Sequence, residues 1–545
     1  MNSAIPTPQS FGLSHSDWRE NQIDAFKIVR DKYGSGGGIS VVELGTGSGK
    51  SGFATMLSTL DNVCVLVQNL GLLTQYEREY GFDVIRGRQE YECAHQQKRE
   101  MWQNYYGKVP TARDCHLRNM FECGYARECS YFRAREKALS SNRMACTYKY
   151  ASLSPSISKR EGIIVMDEAH NMAEELISVS EVRITDSIIE KHELDDFPFK
   201  SYGSGGKGDL LTDADKGDVI LWLSNCLSKV DKQSGQLNFE FMTQKDADAS
   251  KIVAFFNQAI EIVLAHNEVF LVIEEKSQSR FYKTKQLVIT LKPLTPRLLA
   301  KKLLANKYAS VLMSATIGNP KPLTGELGIS NYIFDTFPHP VPPSARPIYD
   351  LKMGRMTHKE VTKNPNLPRI QGKVIGNFIN KLDPSWRGIV LATSNYKVKA
   401  LREMLTDKFN GRVFTPSDGL SLNERINSFI EDQREGLIAV DTIQGWGTGI
   451  DLRGDLARYA IVAGVPYPNP MDRYTKLRLA RKGGFNYGMW NAYSAVCQAV
   501  GRCSRGEIES DGDFMLNVGA VADGSALISR AMSYYPKFFK EAIIR

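Results

Sequence analysis

The densest chemistry in this 545-residue chain sits in Gly45-Thr46-Gly47-Ser48-Gly49-Lys50-Ser51. Backbone N–H groups of a glycine-rich loop, backed by a helix N-terminus, can surround a β-phosphate. Lys50 then reaches the β- and γ-phosphates, and the Ser51 hydroxyl is placed to hold Mg²⁺. Leu44 stands where the strict phosphate-loop pattern has glycine. Much later comes Asp167-Glu168-Ala169-His170. An acidic pair at a strand end can position Mg²⁺ through Asp167 and orient or deprotonate a water through Glu168. Near the C-terminus runs Gln498-Ala499-Val500-Gly501-Arg502-Cys503-Ser504-Arg505. Arg502 and Arg505, three apart, can share a helix face and approach a γ-phosphate from a second domain.

Four of the nine cysteines, Cys93, Cys115, Cys123 and Cys129, lie between the first two motifs, with 21, 7 and 5 residues between successive members. These gaps match neither the short paired hooks of common zinc sites nor the ferredoxin spacings. Four thiolates hold either Zn²⁺ or a [4Fe–4S] cluster, and the spacing leaves both open. The same segment interleaves Lys98, Arg99, Lys108, Arg113, Arg118 and Arg127 with Trp102, Tyr105, Tyr106, Phe121, Tyr125 and Tyr131. That mixture suits base stacking and phosphate tracking. It equally suits aromatics packed around a small metal-bearing domain.

Each motif needs a rigid element behind it. The apolar runs 39–42, 63–67, 162–166 and 309–313 have the texture of buried parallel strands. From about Glu174 to Gln286 the spacing turns helical, as in Ile252 to Ala265, which predicts an inserted helical domain. Pro338, Pro340, Pro342 and Pro343 mark a linker. Beyond it, 388–393, 437–440 and 459–463 predict strands of a second α/β domain.

Composition sets the frame. With 42% hydrophobic and 24% charged residues the chain reads as globular, with room for two to four domains by length. No apolar run approaches the roughly 20 residues of a membrane helix. Met1 to Ser16 has neither the basic start nor the apolar core of a secretory signal. A cytoplasmic protein is expected, in the host cytoplasm if viral, and its cysteines then argue against a disulfide framework. The net charge of +8 is uneven: from Arg346 onward there are 29 Lys+Arg against 20 Asp+Glu, and before it 40 against 41. The basic second half suits a phosphate-rich partner.

In this order the motifs resemble those of superfamily 2 helicases, and within them the XPD/DinG-like family. Ser314-Ala315-Thr316 is similar to that family's motif III, and Gly447-Thr448-Gly449-Ile450-Asp451 to its motif V. Trp18 to Gln22 resembles the adenine-reading segment, and Gln68 to Gln75 the motif Ia region. The flanks Gly87 to Cys93 and Cys129 to Phe132 resemble the edges of the family's iron–sulfur domain. Thr448 replaces an acidic residue of the family, and its Asp-x-Arg element is not found near Leu516-Asn517-Val518.

The resemblance implies an α/β fold with two RecA-like parallel-sheet motor domains, an iron–sulfur insertion and a helical arch-like insertion. Its boundaries would be 1–88, 148–175 and 287–345 for motor domain 1 and its linker, 89–147 for the four-cysteine domain, 176–286 for the arch and 346–545 for motor domain 2. It implies ATP, Mg²⁺ and a [4Fe–4S] cluster on Cys93, Cys115, Cys123 and Cys129. Lys50, Asp167, Glu168, Arg502 and Arg505 would be catalytic. Gln22, the loop Gly45 to Ser51, Asp451 and Gln498 would bind nucleotide. The implied activity is ATP-driven 5′ to 3′ helicase action on single-stranded or forked DNA by a monomer, with no loading partner indicated. The alternatives are a translocase or remodeller that does not unwind, and a non-motor DNA-binding module. The intact Lys50, Asp167, Glu168, Arg502 and Arg505 argue against the module.

Overall fold

The computed structural model describes residues 5–114, 125–198, 208–234, 244–277, 285–417, 419–447, 452, 454–504 and 513–544. Cys115, Arg118, Phe121, Cys123, Thr448, Gly449, Ile450, Asp451 and Arg505 lie outside the described residues, as do the side chains of Lys98, Tyr105 and Tyr106.

The β-branched runs become strands because stiff, branched side chains suit a pleated surface covered on both faces. β1 (Gly38–Glu43), β2 (Val63–Val67), β3 (Asp83–Ile85), β4 (Arg143–Thr147) and β5 (Ile163–Met166) begin one sheet. β6 (Val182–Thr185), β7 (Asp209–Leu210), β8 (Val269–Ser277) and β9 (Lys285–Pro293) leave it and form their own. β10 (Ala309–Ser314) and β11 (Ile333–Thr336) return. Among the described residues the first sheet has seven strands in the order β11-β1-β10-β5-β2-β4-β3. Every pairing in it is parallel. Alternate residues face opposite layers: Val41, Leu66 and Leu312 enter one core, Val42, Val65 and Met313 the other.

That order places the site. β1 leads into the phosphate loop, β5 into the acidic box and β10 into Ser314-Ala315-Thr316, and β10 pairs with both others. Three parallel neighbours end at one edge, so their loops converge there.

The second sheet is β12 (Ile348–Asp350), β13 (Gly388–Ala392), β14 (Ile438–Thr442), β15 (Tyr459–Val462), β16 (Val518–Val521) and β17 (Ile543–Ile544), ordered β14-β13-β15-β16-β12-β17. It too is wholly parallel. The two sheets are the RecA-like motor domains. Among the described residues no helix is long and apolar enough to cross a membrane.

Strand pairing corrects two expectations. The segment 89–147 ends too late, because β4 pairs with β2 and belongs to motor domain 1. The insertion 176–286 is not simply helical. The helices Asp213–Ser234 and Gln244–Ala265 pack on an antiparallel sheet, β6-β9-β8-β7, and β9 carries that unit on to Pro293. Its strands alternate buried Val182 and Ile184 with exposed Arg183, a pattern too short to outweigh the long helical spacing.

Gly388 lies opposite Tyr459 in the β13–β15 register, and a Cβ there would collide with the buried Tyr459 ring. Gly388→Ala is expected to destabilise motor domain 2 by about 1–3 kcal/mol, the cost of overpacking. A thermal melt with an unchanged midpoint would contradict this.

Candidate nucleotide site between the motor domains

Between β1 and the helix Lys50–Leu57, Gly47 and Gly49 adopt φ of 78° and 79°, a left-handed conformation costly for side chains with a Cβ. A Cβ on Gly49 would also strike the Gln22 amide. Gln22 is buried on the helix Glu20–Gly34. Its Nε2 donates to Gly49 O at 2.7 Å, and its Oε1 accepts from Arg19 N–H at 2.8 Å. Gln22 therefore braces the loop with both ends of its amide. Ser48 Oγ is buried without a hydrogen-bond partner among the described residues. A phosphate oxygen is the kind of acceptor that would satisfy it.

β5 delivers Asp167 and Glu168. Asp167 is buried, and its Oδ2 accepts from Tyr76 OH at 3.0 Å. Tyr148 OH donates to the Asp167 carbonyl at 2.9 Å. Burial, and then the neighbouring Glu168 charge, push the Asp167 carboxyl up to about 6. Glu168 sits at φ 49°, a conformation that costs energy for a non-glycine residue and is concentrated at functional sites. Lys50 Nζ is 3.4 Å from its Oε1, and His170 Nδ1 is 3.3 Å from its Oε2. Burial alone would raise this carboxyl. Lys50, His170 and Arg502 overcome that and hold it well below the usual carboxylate range.

From Glu168 a polar chain crosses to motor domain 2. His170 Nδ1 meets Ser314 Oγ at 2.8 Å, and Ser314 Oγ accepts from Thr316 N–H at 3.2 Å. Thr316 Oγ1 accepts from Gln498 Nε2 at 2.8 Å and lies 3.0 Å from Ser494 Oγ. Ser494 Oγ also donates to Thr316 O at 3.1 Å, and Trp490 Nε1 to Ile317 O at 2.7 Å. Ser494, Trp490 and Gln498 share the helix Gly484–Val500. Just past it, Arg502 is buried, its Nε donating to Gly447 O at 2.8 Å.

The structure thus gathers Lys50, Asp167, Glu168, Gln498 and Arg502 at one interface, with Gln22 behind the loop. Ser51 sits at the start of the loop's helix, beside the Tyr76 hydroxyl that binds Asp167. The side chains of Cys93 and Cys129 are half-buried. No metal-capable group of three or more His, Cys, Asp or Glu side chains occurs among the described residues. Of the aromatics open to base stacking or to packing, Trp102 and Tyr131 are buried in packing, and Lys108 covers the Trp102 ring at 5.0 Å.

The family model DEAD_2 matches residues 49–189, and that of the helicase C-terminal domain matches 382–514, together half of the chain. An XPD helicase structure aligns with a TM-score of 0.59 at 14% identity, covering 96% of this chain and 99% of that one. The chain belongs to the XPD/DinG-like superfamily 2 helicases. Xpd4 of S. tokodaii aligns with a TM-score of 0.55 at 14% identity over 97% of this helicase and 100% of Xpd4. An apo XPD structure gives 0.51 at 15% identity over 91% and 94%. No curated protein sequence matches. Membership implies ATP and Mg²⁺, and the left-handed glycines, the orphaned Ser48 hydroxyl and the buried Asp167 carboxyl fit both.

One part of the helicase interface carries no motif. Arg478, on the helix Arg473–Ala480 of motor domain 2, forms two 2.9 Å bonds to Glu174 and a 3.0 Å bond to Glu326. Arg481 adds bonds of 3.0 and 2.8 Å to Glu326. Both glutamates belong to motor domain 1, and Glu326 is 4% exposed. The four charges border a cavity of about 400 Å³ shared with Gln444, Thr475 and Asn491. Nothing in Thr324-Gly325-Glu326-Leu327 signals such a role in sequence; only the fold pairs it with the arginines. Glu326→Ala would strand the Arg481 cation and leave Arg478 on Glu174 alone, so a loss of about 3 kcal/mol is expected, read as a lower melting midpoint and faster hydrogen exchange in 473–480. Unchanged exchange there would contradict the assignment.

Proposed function

We propose that this helicase uses ATP hydrolysis to move 5′ to 3′ along single-stranded DNA and to open forked DNA, as a cytoplasmic monomer. The direction and substrate follow from family resemblance. The observation that best supports the motor reading is the shared interface: Lys50, Asp167 and Glu168 on one domain meet Gln498 and Arg502 on the other. A cleft built this way ties hydrolysis to domain closure.

In this reading Lys50 turns from Glu168 to the phosphates when nucleotide enters. Glu168 thereby loses its largest compensating charge and becomes a better proton acceptor, suited to deprotonating the attacking water. Ser51 and Asp167 would hold Mg²⁺, which when bound neutralises charge on the phosphates. Arg502 and Arg505 stabilise the developing charge from motor domain 2, while Gln22, Asp451 and Gln498 position the nucleotide. Lys50→Ala should weaken ATP binding. Glu168→Gln should bind ATP but turn it over at least about a hundredfold more slowly, as loss of a general base does. The wild type should be stimulated by single-stranded DNA and should displace strands from 5′-tailed duplexes. Near-normal turnover in either variant would sink the motor, and stimulation without displacement would favour a translocase.

Cys93, Cys115, Cys123 and Cys129 would together hold a [4Fe–4S] cluster. Its support is the set of four soft ligands, of which Cys93 and Cys129 are half-buried, in a short polar segment. A metal cluster supplies folding energy where burial is limited. Protein purified without oxygen should be brown, with about four irons per chain. Stoichiometric zinc without iron would overturn the cluster.

A further inference from the structure

The phosphate-loop pattern asks for glycine at positions 44 and 49, yet this chain places its first glycine at 45. The backbone does not require it: Gly45 is not among the residues with positive φ. Space does. A Cβ on Gly45 would stand 2.5 Å from Cδ2 and 3.1 Å from Cγ of His339, closer than packed carbons approach.

His339 belongs to the proline-rich linker that joins the motor domains, and its ring has little freedom. Val341 N–H donates to its Nδ1 at 3.1 Å, which leaves the ring proton on Nε2. Burial, with the Arg346 and Lys50 charges nearby, pushes the imidazole down to about 3, so the ring is neutral. Its other neighbour is Phe538, with centroids 5.0 Å apart. Arg346 locks that arrangement: its Nε donates to Val341 O at 2.8 Å and its Nη1 to Phe538 O at 2.7 Å. Phe538 lies on the helix Lys537–Glu541, which leads into β17, and β17 pairs with β12 just beyond the linker. On the other side, Phe337 N–H donates to Glu43 O at 3.1 Å, stitching the start of the linker to the strand that feeds the loop.

We propose that His339 is a positioning residue for ATP hydrolysis, a strut through which the linker reads the shape of the phosphate loop and passes it to motor domain 2 by way of Phe538. The inference rests on the ATP-driven reading above. Filling the loop draws Lys50 away from Glu168 and reshapes the backbone around Gly45. A ring pinned by Val341 and Phe538 cannot yield to that shift by rotating, so the linker moves with it. Packed interfaces pass small displacements on rather than absorbing them.

The test uses the full chain with ATPγS as the nucleotide. Hydrogen exchange in peptides covering 338–347 and 537–541 should slow on ATPγS binding to the wild type. His339→Ala should lose that response while its ATPγS affinity stays within about threefold, and its kcat should fall about tenfold with little change in KM. His339→Phe keeps a ring against Gly45 and should retain the response. Gly45→Ala should weaken ATPγS binding about tenfold or more, and adding His339→Ala to the same chain should restore it. A full linker response in His339→Ala, or a double variant that binds no better than Gly45→Ala, would overturn the strut. Failure of the wild type itself to hydrolyse ATP would instead overturn the motor reading.

Discussion

The hydroxyl of Thr316 is shared by two domains, and the rest of the cleft is arranged around that fact. It accepts from Gln498 and meets the Ser494 hydroxyl on motor domain 2, while the Thr316 N–H is held by Ser314, whose Oγ reaches His170 beside Glu168. These groups are largely buried, so any of them left without a partner costs more than its bond contributes. His170, beside Glu168, is therefore held by groups that find all their partners only when the second domain is docked. Each link is worth only about 1 kcal/mol net, which keeps the arrangement easy to remake. The far rim differs in kind. Arg478 and Arg481 face Glu174 and Glu326 as desolvated charges, and separating them costs several times as much.

Much of this was legible in the chain. β1, β5 and β10 announced themselves because each is a continuous apolar run ending in a polar motif, and a parallel sheet needs both. The meeting of Lys50, Asp167 and Glu168 followed from motif order alone. Arg502 was expected on a helix face shared with Arg505, but it lies in the turn past the helix Gly484–Val500, anchored on Gly447, and Arg505 is outside the described residues. Gln22 was singled out for the nucleotide base, whereas its contact here is with the backbone of the loop.

What was not legible depends on pairing between distant segments. The edge of the cysteine-bearing insertion, taken from resemblance at 147, fell past β4, which no motif marks. Only its register with β2 assigns it to the motor. The sheet β6-β9-β8-β7 was hidden for a related reason: its strands lie on either side of two long helices, whose spacing dominates any window read along the chain. The aromatics Trp102 and Tyr131 carried the right composition for nucleic acid, but composition does not say which way a ring points, and both point inward.

The helix Arg473–Ala480 touches three bodies, and its contacts answer differently to the solution around them. Its outer end holds the insertion through Arg473 and Asp209, both side chains substantially exposed. Its inner end holds motor domain 1 chiefly through Glu326, a carboxylate shut away from water and shared by Arg478 and Arg481. Between them Tyr474 donates to Pro293 O at 2.8 Å and packs edge-on against Phe270. Mobile ions weaken the first contact and scarcely reach the second. Ionic strength therefore acts on this helix as a selective loosener, freeing the antiparallel unit to swing about Tyr474 while the two engines stay clasped.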